Sequence, residues 1–432
     1  MARFMQRTAT RGAATTAPKG HAATVAPMKV SYVTTGFPVP CETFTCTDIR
    51  ALRDAGVDVS VHAMRPPSGD AAGLLKERGL SGLEVSQGTI AAYLEGVAAC
   101  LRRPRVLIRL LIWLVASTRR RPRQLLVSLA VVPRSMGILA SLERERPDVV
   151  HLFWGHYPTI VGYLVSINLP HTVLSLFLGA YDLSSAYGGT AWLAPRADLV
   201  STHSRWSFDA LEALGVCRER VHLAYRGIDP ACFSGARVEK LRHRIVAAGR
   251  LDVGKGMDDV LRVFRQVYTR WPDATLRVLG EGRQRGKLER LSRSLGIDRA
   301  VTFRGHVPQS DVAREMAAAE VFLHMSWGET ERLPNVVKEA MATRCLCVVT
   351  QTSGIQELVR DGEHGFVVPV RDLAAAAARV DAIFSGQVDT ASVLAAASDH
   401  VARCFVASRS MRSYLQRWQD LLAQRSRYQH VA

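Results

Sequence analysis

Acid is scarce in this chain. Its 432 residues include 39 aspartates and glutamates against 56 lysines and arginines, a formal charge of +17. So basic a balance predicts attraction to anions: nucleic acid, an acidic membrane surface or phosphorylated ligands. Paired cysteines are lacking as well. The eight cysteines are scattered, no Cys-x-x-Cys occurs, and Cys345 and Cys347 stand too close for a zinc knuckle. They read as free thiols of a reducing compartment, which excludes a disulfide framework. No Asp-x-Asp is present. Asp258 and Asp259 are adjacent at a helix start, where they complement the helix dipole, so no metal is expected. A convincing secretory signal is also missing. Residues 1–27 hold Arg, Thr and Ala but no acid, a composition shared by targeting peptides and disordered tails. They are expected to be a non-structural tail, with apolar patterning starting at Met28.

What is present is globular. Hydrophobic residues make up 48% and charged residues 22%, so the chain can bury a large core in one to three domains. Short apolar runs alternate with helical patterns: MKVSYVTT (28–35), VDVSVHAM, PDVVHLFWG, HTVLSLFLG, ADLVSTHS and RVHLAYRGID. This is the rhythm of a parallel α/β sheet. It breaks near 230–243 and restarts at RIVAAGR (244–250), then continues through TLRVLG, AVTFRG, EVFLHMS, LCVVT and GFVVP. The fold class expected is α/β, with two Rossmann-like domains facing each other across a cleft. The first is expected over 28–235 and the second over 244–385, with residues 386–432 forming helices that pack back on the first. A cleft between such domains is where ligands sit.

An arginine-rich insertion interrupts the first domain, LRRPRVLIRLLIWLVASTRRRPRQLLVSL (101–129). Its apolar run is broken by Arg109 and is too short to span a bilayer. Placed on one helix, Arg102, Arg105, Arg109 and Arg120 fall on a narrow stripe with Trp113, opposite a face of Leu, Ile and Val. Pro104 suits a first turn and Pro122 a helix end. A basic amphipathic helix with a tryptophan fits an anionic membrane surface; the alternative is a helix packed on the sheet with solvated arginines. Nucleic acid fits less well, because no aromatic platform interleaves the basic residues. The segment LGEGRQRG also fails as a dinucleotide fingerprint, its glycines 280, 282 and 286 being one residue too far apart.

The stretch GETERLPNVVKEAM (328–341) holds the sharpest signal. Pro334 reads as the first residue of a helix. Leu333 before it offers no capping oxygen, which leaves the N–H groups of Asn335, Val336 and Val337 free for an anion, above all phosphate. Glu331 precedes that terminus and Glu339 follows it. Carboxylates accept hydrogen bonds from hydroxyls, so a phosphate flanked by hydroxyls, as in a nucleoside-diphosphate sugar, satisfies the arrangement. Arg250 and Lys255, in the loop after a strand, could neutralise the diphosphate. Taken singly, each of these charges would pass for a solvated surface residue.

Together, Glu331-x7-Glu339 in its ERLPNVVKEAM setting, GRLDVGKG (249–256), LGEG, FRGHVP and TSGIQELVRDGEHGFVVP resemble the retaining GT-B glycosyltransferases of family GT4. GFPVPCETF and HLFWGH are similar to the exopolysaccharide, colanic-acid-type branch of that family. The resemblance implies a GT-B fold whose last helix crosses back to the first domain. It implies that Arg250 and Lys255 hold the diphosphate, Glu339 the ribose hydroxyls and Glu331 the hydroxyls of the transferred sugar. It gives the main chain around Leu333, Asn335 and Val336 to phosphate or sugar, and that around His306 and Val307 to the base. Gly36 would let the first domain approach the diphosphate. Two departures stand out. Arg332 occupies a position that is often Gly, although Arg does not readily adopt positive φ. Gly179-Ala180-Tyr181-Asp182 stands where the family has His-Gly-x-Asp, which leaves Asp182 to touch acceptor or sugar and His156 as a substitute on the acceptor side.

The expected activity is transfer of a sugar, with retention, from a UDP- or GDP-linked donor to a lipid-linked or growing saccharide. No cofactor is expected. The expected location is the cytoplasmic face of a membrane, held peripherally. The rival readings are a nucleotide-sugar epimerase and a catalytically weak nucleotide-sugar-binding protein of the same fold.

Overall fold

A computed structural model describes residues 27–39, 42–67, 69–233 and 238–429. All but the last residue of the expected tail lies outside them. The chain builds two all-parallel sheets. The first contains β1 (Lys29–Thr34), β2 (Asp58–Ala63), β3 (Glu84–Ser86), β4 (Val149–Phe153), β5 (Val173–Phe177), β6 (Leu199–Thr202) and β7 (Val221–Leu223). Its spatial order is β3-β2-β1-β4-β5-β6-β7. The second contains β8 (Leu241–Ala248), β9 (Thr275–Leu279), β10 (Val301–Gly305), β11 (Ala319–His324), β12 (Leu346–Thr350) and β13 (Phe366–Val368). Its order is β10-β9-β8-β11-β12-β13. Both sheets reverse direction of growth beside their first strand, between β1 and β4 and between β8 and β11. These are the topological switch points at which such sheets bind ligands.

The strands fold this way because both faces are buried, and successive residues feed opposite cores. In β4, Val149 and Phe153 enter one core while Val150 and Leu152 enter the other. In β8, Ile245 and Ala247 oppose Val246 and Ala248 in the same manner.

The first domain carries α1 (Thr43–Asp54), α2 (Ala71–Glu77), α3 (Ile90–Arg102), α4 (Pro104–Thr118), α5 (Pro122–Ala130) and α6 (Val132–Glu145). After β4 follow α7 (Pro158–Asn168), α8 (Ala180–Ser185), α9 (Gly188–Leu193) and α10 (Phe208–Ala213). The single helix expected over 101–129 is therefore three. Pro104 does open α4, but Pro122 opens α5 rather than ending its predecessor. Trp113 does not join the arginines. Its ring is buried and stacks on Tyr163 with centroids 4.4 Å apart. Arg102, Arg105, Arg109 and Arg120 are exposed, but they are spread over α3, α4 and the turn before α5.

The second domain carries α11 (Met257–Arg270), α12 (Arg285–Ser294), α13 (Gln309–Ala318), α14 (Asn335–Ala342) and α15 (Leu373–Phe384). Two helices end the chain, α16 (Thr390–Cys404) and α17 (Ala407–Gln429). Only α17 crosses back. Its Met411, Tyr414 and Trp418 enter a core of the first sheet, whereas Ala397 and Val401 of α16 stay with the second. The crossing is stitched by the main chain: Ile228 N–H donates to Phe405 O at 2.9 Å and Ala407 N–H to Ile228 O at 3.0 Å.

Candidate active site

The loops leaving β1, β4, β8 and β11 carry Gly36, His156, Arg250, Lys255, Glu331 and Leu333, and α14 after the last of them carries Asn335, Val336 and Glu339; Asp182 follows β5, and His306 and Val307 follow β10. On the second domain, the loop after β8 packs on the exit of β11. Gly256 makes this possible: its φ is +66°, and a Cβ there would stand 1.8 Å from Met325 O. Trp327 and Gly328 N–H both donate to Gly254 O at 3.0 Å. Lys255 is thereby brought onto Glu331, its ammonium donating to the carboxylate. Burial pushes the Glu331 carboxyl up, but Lys255, His324 and the Ser326 hydroxyl more than offset it, and the group is lowered from its ordinary value. Arg250 is more open and lies 3.4 Å from Asp252.

Pro334 caps α14 from outside rather than forming its first residue, and no side chain caps the terminus. Pro334 O accepts from Val337 N–H at 3.2 Å. Of the three free donors expected, Asn335 and Val336 N–H remain without a partner among the described residues. Leu333 is buried in the core and offers no side chain to a ligand. Glu339 is also buried, which pushes its carboxyl up to about 7 against the pull of Lys338. His306 and Val307 follow β10, two strands from the switch point; the first is exposed and the second half-buried.

Arg332 resolves its departure without strain, since it is not among the residues of positive φ. Its guanidinium reaches Ser207 Oγ of the first domain.

On the first domain, His156 lies between two partners. Its Nε2 is 2.8 Å from Thr35 Oγ1 in the loop after β1, and its Nδ1 is 3.1 Å from Asp182 Oδ1. Asp182 is buried and fully engaged: Oδ1 accepts from Gly155 N–H at 2.8 Å and Oδ2 from Gly179 N–H at 2.9 Å. It positions His156 and does not present itself to the cleft. The missing histidine at position 179 has a physical counterpart. A Cβ there would stand 2.9 Å from the ring of Trp154, so Trp154 fills the space a side chain would need. Gly36 has ordinary φ, and a Cβ would meet only Val39 at 3.6 Å, which leaves its outer side open.

Sequence reasoning missed the joint between the domains. Lys338 is fully buried, and its ammonium donates to Arg226 O at 2.8 Å and Asn335 Oδ1 at 2.9 Å. Burial pulls it down to about 7. The Arg226 guanidinium lies over Phe44 at 4.3 Å and Phe177 at 4.4 Å, and 3.7 Å from Asp48. Asp48 is pushed up to about 7 by burial, with Arg226 and Lys338 opposing. Glu42 joins the set; burial raises its carboxyl, while Arg226, a hydrogen bond from Trp154, His156 and Arg250 pull it down. The available signal was a lysine at a core-facing position of α14.

Two sequence profiles match the chain. One described as Glycosyltransferase Family 4 matches residues 42–231, and one described as Glycosyl transferases group 1 matches 242–386. WcaL of Salmonella typhimurium, named as a colanic acid biosynthesis glycosyltransferase, is 27% identical over 405 residues, covering 88% of this chain and 96% of its own. AmsK of Erwinia amylovora, named as an amylovoran biosynthesis glycosyltransferase, is 24% identical, covering 90% of this chain and 100% of its own. The crystal structure of Anabaena HepE in complex with UDP-glucose superposes with a TM-score of 0.68 at 19% identity, covering 92% of this chain and all of that one.

Proposed function

The chain belongs to glycosyltransferase family 4 and is a glycosyltransferase of GT-B fold, and we propose that it moves a sugar from a UDP- or GDP-linked donor, with retention, to a hydroxyl of a lipid-linked or growing saccharide in exopolysaccharide or cell-surface polysaccharide assembly. The names of WcaL and AmsK and the UDP-glucose held by HepE support this reading. The observation that carries it is the second switch point. There Lys255, Arg250 and the two free N–H groups of α14 gather positive charge between Glu331 and Glu339.

In this reading Arg250, Lys255 and the α14 terminus stabilise the departing diphosphate, a role that supplies several kcal/mol, about 3 or more. Lys255 is occupied by Glu331 until the donor arrives. Glu331 then accepts from hydroxyls of the transferred sugar and Glu339 from the ribose. His156, oriented by Asp182, faces the acceptor side with Thr35. We take the place of action to be the cytoplasmic face of a membrane, since the donor is cytosolic and the acceptor lipid-linked.

The test is nucleotide release from a panel of UDP-, GDP- and ADP-sugars, with and without membrane extract. One nucleotide is expected to be released in a membrane-dependent manner. Glu331→Ala and Glu339→Ala should lower that rate on the order of a hundredfold. Donor binding without turnover would make the chain a binding protein, and an epimerised donor as product would make it an epimerase; either result ends the transferase reading.

A further inference from the structure

Three consecutive helices of the first domain turn large apolar side chains to solvent. On α3 the exposed residues are Ile90, Leu94, Val97 and Leu101, spaced to fall on one face, with Ile90 82% and Leu101 78% exposed. On α4 they are Ile108, Ile112 and Val115, and on α5 Leu126, Val127 and Leu129. The opposite sides already have partners: Ala99, Leu110, Trp113 and Leu114 pack with α6 and α7 in one core. The outward apolar rows are therefore surplus to folding, and contiguous surplus of this kind marks an interaction surface.

Charge identifies the partner. From Gly96 to Leu142 the sequence has nine arginines and no acid. Arg105 and Arg109 are exposed beside Ile108 and Ile112, on the same helix face. Arg102, Arg105, Arg109, Arg119, Arg120 and Arg123 form no ion pair with any described residue. A second copy docking through the same patch would set arginines against arginines, with Glu95 the one acid on α3, α4 and α5 to separate them. Nucleic acid would answer the arginines and leave the apolar rows in water. An anionic bilayer answers both. Among the described residues no single helix is long and apolar enough to cross a membrane. Of the bent pair α5 and α6, which passes on length and composition, α6 is committed to the core.

We propose that α3, α4 and α5 form a monotopic anchor that lies in the interface of an anionic bilayer, apolar rows among the acyl chains and arginines at the head-group phosphates. The anchor is joined to the acceptor wall. Arg121 donates to Ser185 O at 2.7 Å and Ser128 Oγ lies 2.7 Å from Tyr187 OH, so α5 and the turn before it hold the end of α8. That helix begins at the Asp182 turn that orients His156. Membrane binding itself stands apart from the transfer reading, and its test uses no donor.

The test is flotation of the full chain with vesicles of phosphatidylcholine alone and of phosphatidylcholine mixed with phosphatidylglycerol. Binding to the anionic vesicles is expected to be about tenfold or more tighter, and to weaken as salt rises. Ile108→Asn with Ile112→Asn should lose about tenfold or more on anionic vesicles, at unchanged thermal midpoint and elution volume. Arg105→Gln with Arg109→Gln should lose the preference for anionic lipid. Equal binding by wild type and the Ile108/Ile112 variant would overturn the proposal. So would absence of binding to either vesicle, or a concentration-dependent dimer that the Ile108/Ile112 variant abolishes without any change in vesicle binding.

Discussion

At the scale of single residues, the unusual feature is a lysine where the core should be apolar. Lys338 is drawn down to about 7 by burial, and Glu339 and Asp48 are pushed up to about 7 by the same cause. The two shifts have opposite signs as functions of pH. A lysine lowered on folding adds stability as pH rises from about 7 toward 10.5, its ordinary value, because the native state sheds the proton first. The raised carboxyls act the other way, and their contribution is lost as pH climbs from the ordinary carboxylate range through about 7. Lys338 also lowers both carboxyls, so removing it raises them further. Both consequences point one way for Lys338→Met: relative to wild type it should lose stability as pH rises from 6 to 9. The expected loss near pH 8 is about 3 kcal/mol, the scale of a buried charge left without its partner. It should be smaller at pH 6, where Asp48 and Glu339 take up protons. Urea unfolding at the two pH values measures this; a constant difference would mean that Lys338 does not couple to the two carboxyls.

Elements explain what could be read in advance and what could not. Of the thirteen strands among the described residues, twelve announce themselves, because parallel strands buried on both faces, such as VVHLF and LCVVT, are nearly continuous apolar runs. The exception, β3, is a three-residue edge strand with no such run. The loops at the second switch point were legible in part: Lys255 and Gly256 before a helix and Pro334 beside another have local meanings, although Pro334 caps α14 instead of opening it. The arginine-rich helices were not. Prolines at 104 and 122 are tolerated at helix starts, so apolar periodicity runs across both breaks, and a single axis drawn through 101–129 put Trp113 on the wrong side. Asp182 required the fold to reveal that two backbone N–H groups and His156 consume its oxygens. The last helix shows how far an element can act from its neighbours in sequence. Trp418 is fully buried among side chains of β1, β4 and α1. Trp418→Ala should therefore cost about 3–5 kcal/mol and act on the first domain, although the residue follows the second. Hydrogen exchange would locate the effect; faster exchange confined to β8–β13 would contradict the docking of α17.

For the whole molecule, the question is what fixes one wall of the cleft against the other. Two chain crossings, at Ile228 and at Phe405–Ala407, tie the domains at one side. A carboxylate ties them at another. Glu357 of the second domain accepts from Ser204 Oγ at 2.6 Å, Arg205 N–H at 2.9 Å and Tyr225 OH at 2.9 Å, while Arg332 reaches Ser207 beside them. The four-residue stretch 204–207 begins a short helical turn whose free N–H groups suit a carboxylate. Packing leaves no slack, since a Cβ on Gly354 would stand 2.8 Å from Ser204 Oγ. If this clamp sets the separation of His156 from Lys255, its loss should act on turnover more than on donor affinity, because the charged donor-side groups Arg250, Lys255, Glu331 and Glu339 all belong to the second domain. Glu357→Ala should remove about 2–3 kcal/mol of stability by leaving those donors unpaired. It should lower kcat about tenfold while donor Kd moves less than twofold, and Glu357→Gln, which keeps one acceptor oxygen, should fall between. A variant that loses donor binding and turnover together would show that the clamp shapes the donor site itself. Unchanged turnover would show that the crossings at Ile228 and Phe405 suffice to hold the cleft.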